Sequence, residues 1–295
     1  MATDRVRIAL QKKGRMANDS LSLLKSCGLH IDNSKDDLFC RIRELPIDLL
    51  MIRDDDIPGF VGGGICDLGI VGENVFAEKK ASCGKDAFDA CVLERLGFSP
   101  CRLSIAVPEG GEIGRIDDLD GKTLATSYPA LLHAYLKSRG IRATTLLMRG
   151  SVEVAPRLKI ADAICDIVAS GATLEANDLR ELTVVLKSEA LLIRSKRTLP
   201  EEKEAVIKRL LARMRGVLQA CDSKYIMMNA PRAAIERIAA LLPGCDSPTI
   251  MDLNRNDMVA IHAVCKEAIF WETVETLEKA GASAILVLPI EKMAA

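Results

Sequence analysis

The sequence predicts an α/β protein with a two-lobed body and a smaller C-terminal domain. Short apolar strands alternate with helix-forming segments over roughly the first 220 residues, which predicts doubly wound, mainly parallel sheets. Small and polar residues follow several of these strands, as they do at the ligand sites of open α/β sheets. The last segment shows the order strand, helix, strand, strand, helix, strand of a ferredoxin-like unit. A chain of 295 residues is long enough for these domains.

In the first lobe, apolar runs predict strands at 6–10, 38–42, 47–52 and 67–72. Asn18, Asp19 or Ser20 is a candidate cap for the first helix, because their side chains accept hydrogen bonds from the first helical N–H groups. Another helix is predicted to begin at Glu73. The polar segment 78–90 is predicted to be an irregular excursion on the surface.

In the second lobe and the return to the first, strands are predicted at 93–98, 101–107, 122–126, 144–148, 163–168, 182–186 and 190–193. Ser151 is a candidate cap for a helix that has Glu153 in its first turn, where a carboxylate also compensates the helix dipole. Residues 200–221 have apolar side chains at intervals of three and four and predict a long amphipathic helix. We interpret it as a connector helix or an oligomer helix, and core packing alone would also explain its apolar face.

In the C-terminal domain, strands are predicted at 225–228, 249–253, 259–264 and 284–288, and helices at 231–242 and 268–279. A small domain of this topology beside an α/β body is a candidate regulatory module. That interpretation rests on topology alone.

Composition excludes several classes of protein. Lysine and arginine (40) nearly balance aspartate and glutamate (41), and aromatic residues make up 3% of the chain, which disfavours binding to nucleic acid. No apolar run reaches the ~18 residues that predict a membrane-spanning helix. The N-terminal segment has no signal-peptide core, so we expect a cytoplasmic protein. The ten cysteines form no CxxC pair and are predicted to be reduced thiols, mostly buried.

The segment with the strongest chemical signal is 162–177, where an apolar strand meets a run of small residues and then a helix-forming segment. In such a turn, backbone N–H groups can face a phosphate. Gly171 permits close approach of the backbone and Thr173 adds a hydroxyl. Asp162 and Asp166 lie just upstream, where carboxylates can meet sugar hydroxyls or a metal ion. A buried strand followed by an ordinary capped turn gives the same pattern.

A second candidate site lies at the carboxyl ends of the first-lobe strands. The basic loop 11–15 contains one glycine, Arg53 follows a strand directly, and Glu73 and Asn74 follow another. Open α/β sheets bind ligands at this edge. A solvated turn explains the basic loop alone.

The motifs as a set resemble the long form of ATP phosphoribosyltransferase over nearly the whole chain. The segments that carry the resemblance are QKKGR at 11–15, RDDDIPG at 53–59, DLGIVGENV at 67–75, ATSYP at 125–129, GSVEVAPR at 150–157, ADAICDIVASGATLEAN at 161–177, DSPTI at 246–250 and GASAILVLPIEKM at 281–293. The family catalyses the first step of histidine biosynthesis, joining phosphoribosyl pyrophosphate to the adenine ring of ATP with release of pyrophosphate. The resemblance implies a body like that of periplasmic binding proteins and a C-terminal regulatory domain.

The resemblance also implies roles for individual residues. Glu153 and Asp166 are the expected catalytic residues. The expected ligands of phosphoribosyl pyrophosphate are Asp166, Ser170, Gly171, Ala172, Thr173 and Leu174. The residues expected to face ATP or its phosphates are Lys12, Gly14, Arg15, Arg53, Glu73 and Tyr128. Asn229, Ser247 and Thr249 are the expected regulatory residues. The family requires Mg²⁺, for which the sequence identifies no protein ligand.

The same resemblance implies inhibition by histidine and a homo-oligomer that interconverts between dimer and hexamer. The expected domains are 1–98 with 180–222 as the first lobe and connector helix, 99–179 as the second lobe with the phosphoribosyl loop, and 223–295 as the regulatory domain. Two alternatives stay open. The first is a two-lobed solute receptor or the ligand domain of a regulator, and the second is the short form of the enzyme, which needs a separate regulatory chain.

Overall fold

The computed structural model describes residues 5–31, 38–83, 88–242, 247–255, 257–266 and 271–293. The chain divides into two compact units. The first consists of Met1–Ser22 and His30–Val206, and the second of Leu23–Leu29 and Ile207–Ala295. The first unit holds both lobes of the body, and the second holds the C-terminal domain.

The strands are β1 Val6–Gln11, β2 Phe39–Arg41, β3 Ile47–Ile52, β4 Leu68–Gly72, β5 Ala90–Arg95, β6 Cys101–Pro108, β7 Thr123–Thr126, β8 Thr144–Leu147, β9 Ala163–Val168, β10 Leu179–Ser188, β11 Ala190–Ser195, β12 Ser223–Pro231, β13 Thr249–Asp252, β14 Met258–Lys266 and β15 Ser283–Pro289. The helices are α1 Arg15–Ser26, α2 Ile57–Gly62, α3 Glu73–Cys83, α4 Pro129–Ser138, α5 Ala172–Glu175, α6 Glu201–Cys221, α7 Ile235–Leu241 and α8 Trp271–Lys279. Most of these elements lie within a few residues of their predicted positions.

The first lobe is built on a six-stranded sheet with the order β2-β3-β1-β4-β11-β5 among the described residues. Strand β1 is parallel to β3 and β4. The hairpin partner β2 and the returning strand β11 run antiparallel to their neighbours. All five residues of β4 are buried, because β1 and β11 flank it in the sheet and residues of α2 and α3 pack against it.

The second lobe is built on a five-stranded sheet with the order β10-β6-β9-β7-β8. Strand β7 is parallel to β8 and β9, whereas β6 and β10 are antiparallel to their neighbours. The prediction of mainly parallel sheets is therefore wrong. The chain passes between the lobes at β6 and at β11, which run antiparallel to β9 and β4, and the edge strand β10 runs antiparallel to β6.

One predicted domain boundary also differs from the observed sheets. Residues 180–222 were assigned to the first lobe, but Leu179–Ser188 pairs with β6 along its whole length and belongs to the second sheet. The chain returns to the first sheet only at β11. The two strands are separated by Glu189, so the change of sheet leaves no composition signal in the sequence.

Three local predictions were wrong. Helix α1 begins at Arg15, so Asn18, Asp19 and Ser20 lie inside it, and the hydroxyl of Ser20 donates to the carbonyl of Met16 at 2.7 Å. Helix α3 continues to Cys83, so much of 78–90 is helical, and 84–87 lie outside the described residues.

Ser151 is not a helix cap. It has a left-handed backbone with φ of 50° and precedes a single 3-10 turn, Val152–Val154. Its side chain makes no capping hydrogen bond. The buried side chain of Val152 explains the turn, because it anchors the segment in the core of the second lobe.

In its described residues, the C-terminal domain has a four-stranded antiparallel sheet with the order β13-β14-β12-β15. Alternate residues of the two central strands, among them Ile226, Met228 and Ile261, are fully buried. Helices α7 and α8 contribute Ile238 and Leu277 to the same core. The predicted ferredoxin-like unit is therefore confirmed, and so is the α/β class of the two-lobed body.

Five of the described cysteines are buried, as predicted. Burial raises the pKa of Cys27 and Cys66 to about 11 and that of Cys165 to about 12, so these thiols stay protonated and unreactive near neutral pH. In the part of the chain that the structure describes, no helix is both long and apolar enough to cross a membrane.

Candidate active site

The carboxyl ends of β1, β3 and β4 lie at one edge of the first sheet. Gln11 stands opposite Ile52, and the N–H of Lys12 donates to the carbonyl of Ile52 at 2.9 Å. The basic loop therefore lies beside Arg53, as predicted. Gly14 has φ of +101°, a conformation that glycine adopts without strain, and Arg15 begins α1 directly after it.

An acidic turn, Asp54–Asp56, follows Arg53 at this edge. Burial is the main cause that raises the pKa of Asp55, and the neighbouring carboxylates of Asp54 and Asp56 add to it. Arg149 and Arg53 oppose this shift. Arg149 belongs to the second lobe, so this turn lies near the junction of the two lobes. No motif in the sequence singles out Arg149.

Glu73 begins α3 at the same edge, as predicted, but its carboxylate is engaged by another side chain. Arg95 donates to both Glu73 oxygens, at 2.6 and 2.9 Å, and also to Glu189 at 2.7 Å. A contact of Glu73 with ATP therefore stays a prediction.

The candidate site of the second lobe is a small cavity of about 160 Å³ at the carboxyl end of β9. Its lining includes six predicted residues: Glu153, Asp166, Ser170, Gly171, Thr173 and Leu174. Ala172 lies between Gly171 and Thr173 in the same turn. The strand β9 and the buried 3-10 turn at Val152–Val154 thus bring the two predicted catalytic carboxylates to one cavity. Asp162 lies at the opposite end of β9, where it accepts the N–H of Thr123 at 2.8 Å, so it is not part of this cavity.

The turn at the end of β9 presents backbone donors. Gly171 has φ of +96°, and the first backbone hydrogen bond of the turn runs from Leu174 N–H to Gly171 at 2.9 Å. Among the described residues, the N–H groups of Gly171 and Thr173 have no protein acceptor. Helix α5 has four residues, so its dipole is small. Individual N–H groups and hydroxyls of this turn, rather than a helix dipole, are therefore available to an anion.

Asp166 carries a carboxylate with a raised pKa at the base of this cavity. Burial is the main cause, the carboxylate of Glu153 adds to it, and the N–H of Ile167, which donates to Asp166 at 2.8 Å, opposes it. Among the described residues no group of three or more metal-ligating side chains converges. The pair is suited to hydrogen bonds with hydroxyl groups or to one side of a metal ion that has other ligands.

Tyr128 lies between the two lobes. Its ring packs against the apolar core of each lobe, and its hydroxyl accepts a hydrogen bond from Asn74 Nδ2 at 2.8 Å. Burial chiefly raises its pKa, and the nearby carboxylates of Asp166, Asp55 and Asp54 add to the shift. Tyr128 thus lies close to the candidate sites of both lobes.

A second polar contact joins the lobes through α3 and α4. The carboxylate of Glu78 accepts the N–H groups of Ala130 and Leu131, each at 2.8 Å. Glu78 thereby caps a helix of the other lobe. The sequence did not predict this role, because a glutamate within a polar segment gives no sign of a partner 52 residues away.

In the C-terminal domain, Ser247 and Thr249 line an open cavity of about 1060 Å³ on the face of the sheet. Tyr225 and His262 line it as well, and the Tyr225 hydroxyl lies 2.7 Å from His262 Nδ1. Asn229, in β12, pairs with Ala260 and is not among the lining residues. The structure therefore groups two of the three predicted regulatory residues.

Comparison with known proteins identifies the family. Residues 53–216 match the model of the family ATP phosphoribosyltransferase, and residues 220–292 match the C-terminal domain of HisG. The ATP phosphoribosyltransferase of Maricaulis maris (strain MCS10) is 54% identical over 294 residues, which cover 99% of this chain and 100% of the relative. The chain belongs to the ATP phosphoribosyltransferase family.

The chain is thus a transferase of histidine biosynthesis, as the resemblance predicted. The match to the C-terminal domain supports the long form of the family over the short form. The match to the relative over its full length favours the enzyme over the solute receptor.

One solved structure agrees with this family at the level of the fold. A complex described as ATP phosphoribosyl transferase (HisG:HisZ) from Thermotoga maritima matches with a TM-score of 0.59 and 23% identity, over 71% of this chain and 98% of that one. The alkanesulfonate-binding protein SsuA from Xanthomonas axonopodis pv. citri matches 70% of this chain and 71% of its own, with a TM-score of 0.45 and 19% identity.

Proposed function

We propose that this ATP phosphoribosyltransferase transfers the phosphoribosyl group of phosphoribosyl pyrophosphate to the adenine ring of ATP, giving phosphoribosyl-ATP and pyrophosphate. The observation that carries this proposal is the second-lobe cavity. It combines free backbone donors at Gly171 and Thr173 with the carboxylates of Asp166 and Glu153. Donors for a phosphate beside acceptors for sugar hydroxyls are what a phosphorylated ribose requires.

The turn residues bind the 5′-phosphate in this proposal. Ser170 and Thr173 contribute hydroxyls. Gly171, Ala172 and Leu174 contribute the backbone of the turn and the shape of the cavity. The cavity is too small for both substrates, so we place the triphosphate of ATP at the first-lobe edge. The basic residues at that edge are Lys12, Arg15 and Arg53. Gly14 allows the phosphates to approach the backbone closely.

The reaction requires residues that position the two substrates and stabilise the charge of the transition state. A ring nitrogen of adenine forms a bond to the anomeric carbon of the ribose while the bond to pyrophosphate breaks, and the electron pair leaves with pyrophosphate. Positive charge develops on the sugar in the transition state. The carboxylates of Asp166 and Glu153 stabilise that charge and hold the ribose, which is the usual contribution of fixed charges in a partly buried site.

Mg²⁺ is part of the proposal as a neutraliser of the pyrophosphate charge. Magnesium keeps several waters and binds through few carboxylates together with substrate phosphates. Two carboxylates in one cavity, without a third metal-ligating side chain among the described residues, fit that coordination. Asp166 or Glu153 would supply any protein ligand.

The first test is release of pyrophosphate from ATP and phosphoribosyl pyrophosphate with Mg²⁺. We expect turnover by the native chain and a fall in kcat/KM of roughly 10²-fold for Thr173→Ala, because a lost contact to the reacting substrate costs about this much. Thr144→Ala, on the exposed start of β8, is the matched control and should leave turnover unchanged. An inactive native chain, or a fully active Thr173→Ala, would contradict the proposal.

We further propose that histidine inhibits the enzyme by binding to the C-terminal cavity, and that the enzyme is a homo-oligomer that interconverts between dimer and hexamer. Family membership and the grouping of Ser247 and Thr249 in one cavity support the inhibitor site. Asn229 belongs to the same sheet but does not line the cavity, so we propose no direct contact between Asn229 and histidine.

Calorimetric titration with histidine, read beside activity and sedimentation, tests the regulatory proposal. We expect heat of binding, loss of activity and a change in the oligomer distribution for the native chain. Thr249→Ala should weaken binding by about 10-fold, the cost of one or two lost hydrogen bonds. The exposed Thr276, whose hydroxyl donates to Glu272 within α8, supplies the control Thr276→Ala. Absence of both heat and inhibition would disprove histidine as the ligand.

A further inference from the structure

We propose that Asn74 is a positioning residue for the reaction, which holds the hydroxyl of Tyr128 at the junction of the lobes with its proton directed toward the substrates. This inference rests on the proposed function. It assigns a role to a buried amide at the carboxyl edge of the first sheet, which is not among the expected substrate-binding residues.

Two hydrogen bonds with the hydroxyl of Ser188 hold Asn74 in place. The hydroxyl of Ser188 donates to Asn74 Oδ1 at 2.8 Å, and the backbone N–H of Asn74 donates to the same hydroxyl oxygen at 3.1 Å. Ser188 and Asn74 are 4% and 6% exposed. This pair leaves Asn74 Nδ2 as the group that faces Tyr128, 2.8 Å from its hydroxyl oxygen.

Gly72 reserves the space for this amide. A Cβ at position 72 would lie 2.4 Å from Asn74 Oδ1, far inside van der Waals contact. The backbone of Gly72 needs no left-handed conformation, so the clash with Asn74 is the main reason that a larger residue does not fit. Two independent features, the Ser188 pair and the missing Cβ, therefore determine where the amide lies.

The direction of the hydrogen bond decides what the phenol can do. A tyrosine hydroxyl has one proton to donate. Because Tyr128 accepts from Asn74, its proton stays available for a substrate oxygen. Burial keeps the phenol protonated well beyond neutral pH, and Asp166 of one lobe and Asp55 of the other lie close enough to influence it. The backbone is fixed too, since the N–H of Tyr128 donates to Thr126 Oγ1 at 2.9 Å.

The test is a double-mutant cycle on turnover. We expect Asn74→Ala and Tyr128→Phe each to lower kcat by about 10-fold with KM changed by less than about 3-fold, because misplacing or removing one donor acts on the transition state. The double variant should lose about the same 10-fold rather than the roughly 100-fold product, because Asn74 acts through Tyr128. Asn74→Asp keeps the size but has no amide N–H, and should behave like Asn74→Ala.

A second cycle tests the reserved space. Gly72→Ala should lower kcat in the native background, and should have little further effect in Asn74→Ala, where the clashing oxygen is gone. Tyr135→Phe is the control for the phenol, because it removes a hydroxyl from α4, the helix that follows Tyr128, and that hydroxyl contacts Thr183 instead. Asn254→Ala, exposed in the C-terminal domain, is the control for the amide.

A readout independent of turnover separates this inference from the proposed function. The chain has three tyrosines, so the [¹³Cζ]tyrosine NMR signal of Tyr128 can be assigned by its loss in Tyr128→Phe. We expect Asn74→Ala to shift that signal and leave the other two in place. If the native enzyme is inactive but Asn74→Ala still shifts the signal, the proposed function is refuted and the contact between Asn74 and Tyr128 is supported. An unshifted signal, or a double variant that shows the full product of the two losses, would overturn the role of Asn74.

Discussion

Replacing Asp166 with Asn should make the enzyme much less active and, near neutral pH, more stable. We expect kcat/KM to fall by about 10²-fold, the usual cost of removing a fixed charge that stabilises the transition state. Stability should rise because the native carboxylate is held in a partly buried site beside Glu153. The amide keeps an oxygen for the N–H of Ile167 but carries no charge to desolvate.

The pH dependence of that gain has a definite sign. The pKa of Asp166 is raised in the folded enzyme, so the folded state binds this proton more tightly than the unfolded state does. The stabilising contribution of the group is therefore present at low pH, below its unfolded pKa, and is lost as pH rises through the folded pKa. The native enzyme and the variant should have similar melting temperatures in acid, and the variant should melt higher near neutral pH.

Calorimetric melting across pH, beside the pyrophosphate assay, checks both parts. Asp162→Asn is the matched control, because Asp162 is exposed at the far end of the same strand. It should leave turnover nearly unchanged. If Asp166→Asn loses activity and stability together, the carboxylate holds the fold rather than the ribose, and the assignment of the cavity is wrong.

The sequence located most strands because each is an apolar run bounded by turn residues. It could not determine their directions. Strand β11 pairs with β4 across more than a hundred residues of intervening chain, and no local pattern reports which strands become neighbours. The polar helix at 78–83 was missed for a related reason. Its sequence lacks apolar periodicity, and the buried residues Val75 and Phe76 that hold α3 in place lie at its start.

The two candidate sites differ in how far the sequence predicted them. The cavity at Asp166 was predictable, because a strand, a turn and the residues after it are contiguous in the chain. Glu153 is the residue of this cavity that comes from a separate segment of the chain. The junction at Tyr128 was not predictable, since Asn74, Ser188 and Asp166 converge on it from separate segments. A single buried asparagine gives no sign in the sequence of which residue it contacts until the fold is known.

The largest loss of stability is expected at Asp67, the residue that precedes β4. Its carboxylate accepts the ammonium of Lys203 at 3.0 and 3.2 Å and the N–H of Arg7 at 2.8 Å. Both charged side chains are less than 10% exposed. Removing one charge of a buried pair leaves the other charge poorly solvated and typically costs about 3–5 kcal/mol. We expect a loss of that size for Asp67→Ala in urea unfolding of the native chain.

Companion variants separate the charge from the hydrogen bonds at this position. Asp67→Asn keeps an acceptor for Arg7 N–H and should lose less than Asp67→Ala. The double variant Asp67→Ala, Lys203→Met should recover much of the loss, because an apolar side chain needs no carboxylate. The exposed pair of Asp257 and Arg255, 3.3 Å apart, supplies the control, and Asp257→Ala should cost less than about 1 kcal/mol.

The same experiment shows whether this buried pair serves only the fold. Strand β4 begins after Asp67 and ends at Gly72, directly before Glu73 and Asn74, so loss of its anchor lowers the amount of folded enzyme. Turnover per folded molecule should stay near the native value, since neither charged group lies in a candidate site. A loss below about 1 kcal/mol for Asp67→Ala would mean that water reaches Lys203 and that the pair is no more than a surface contact.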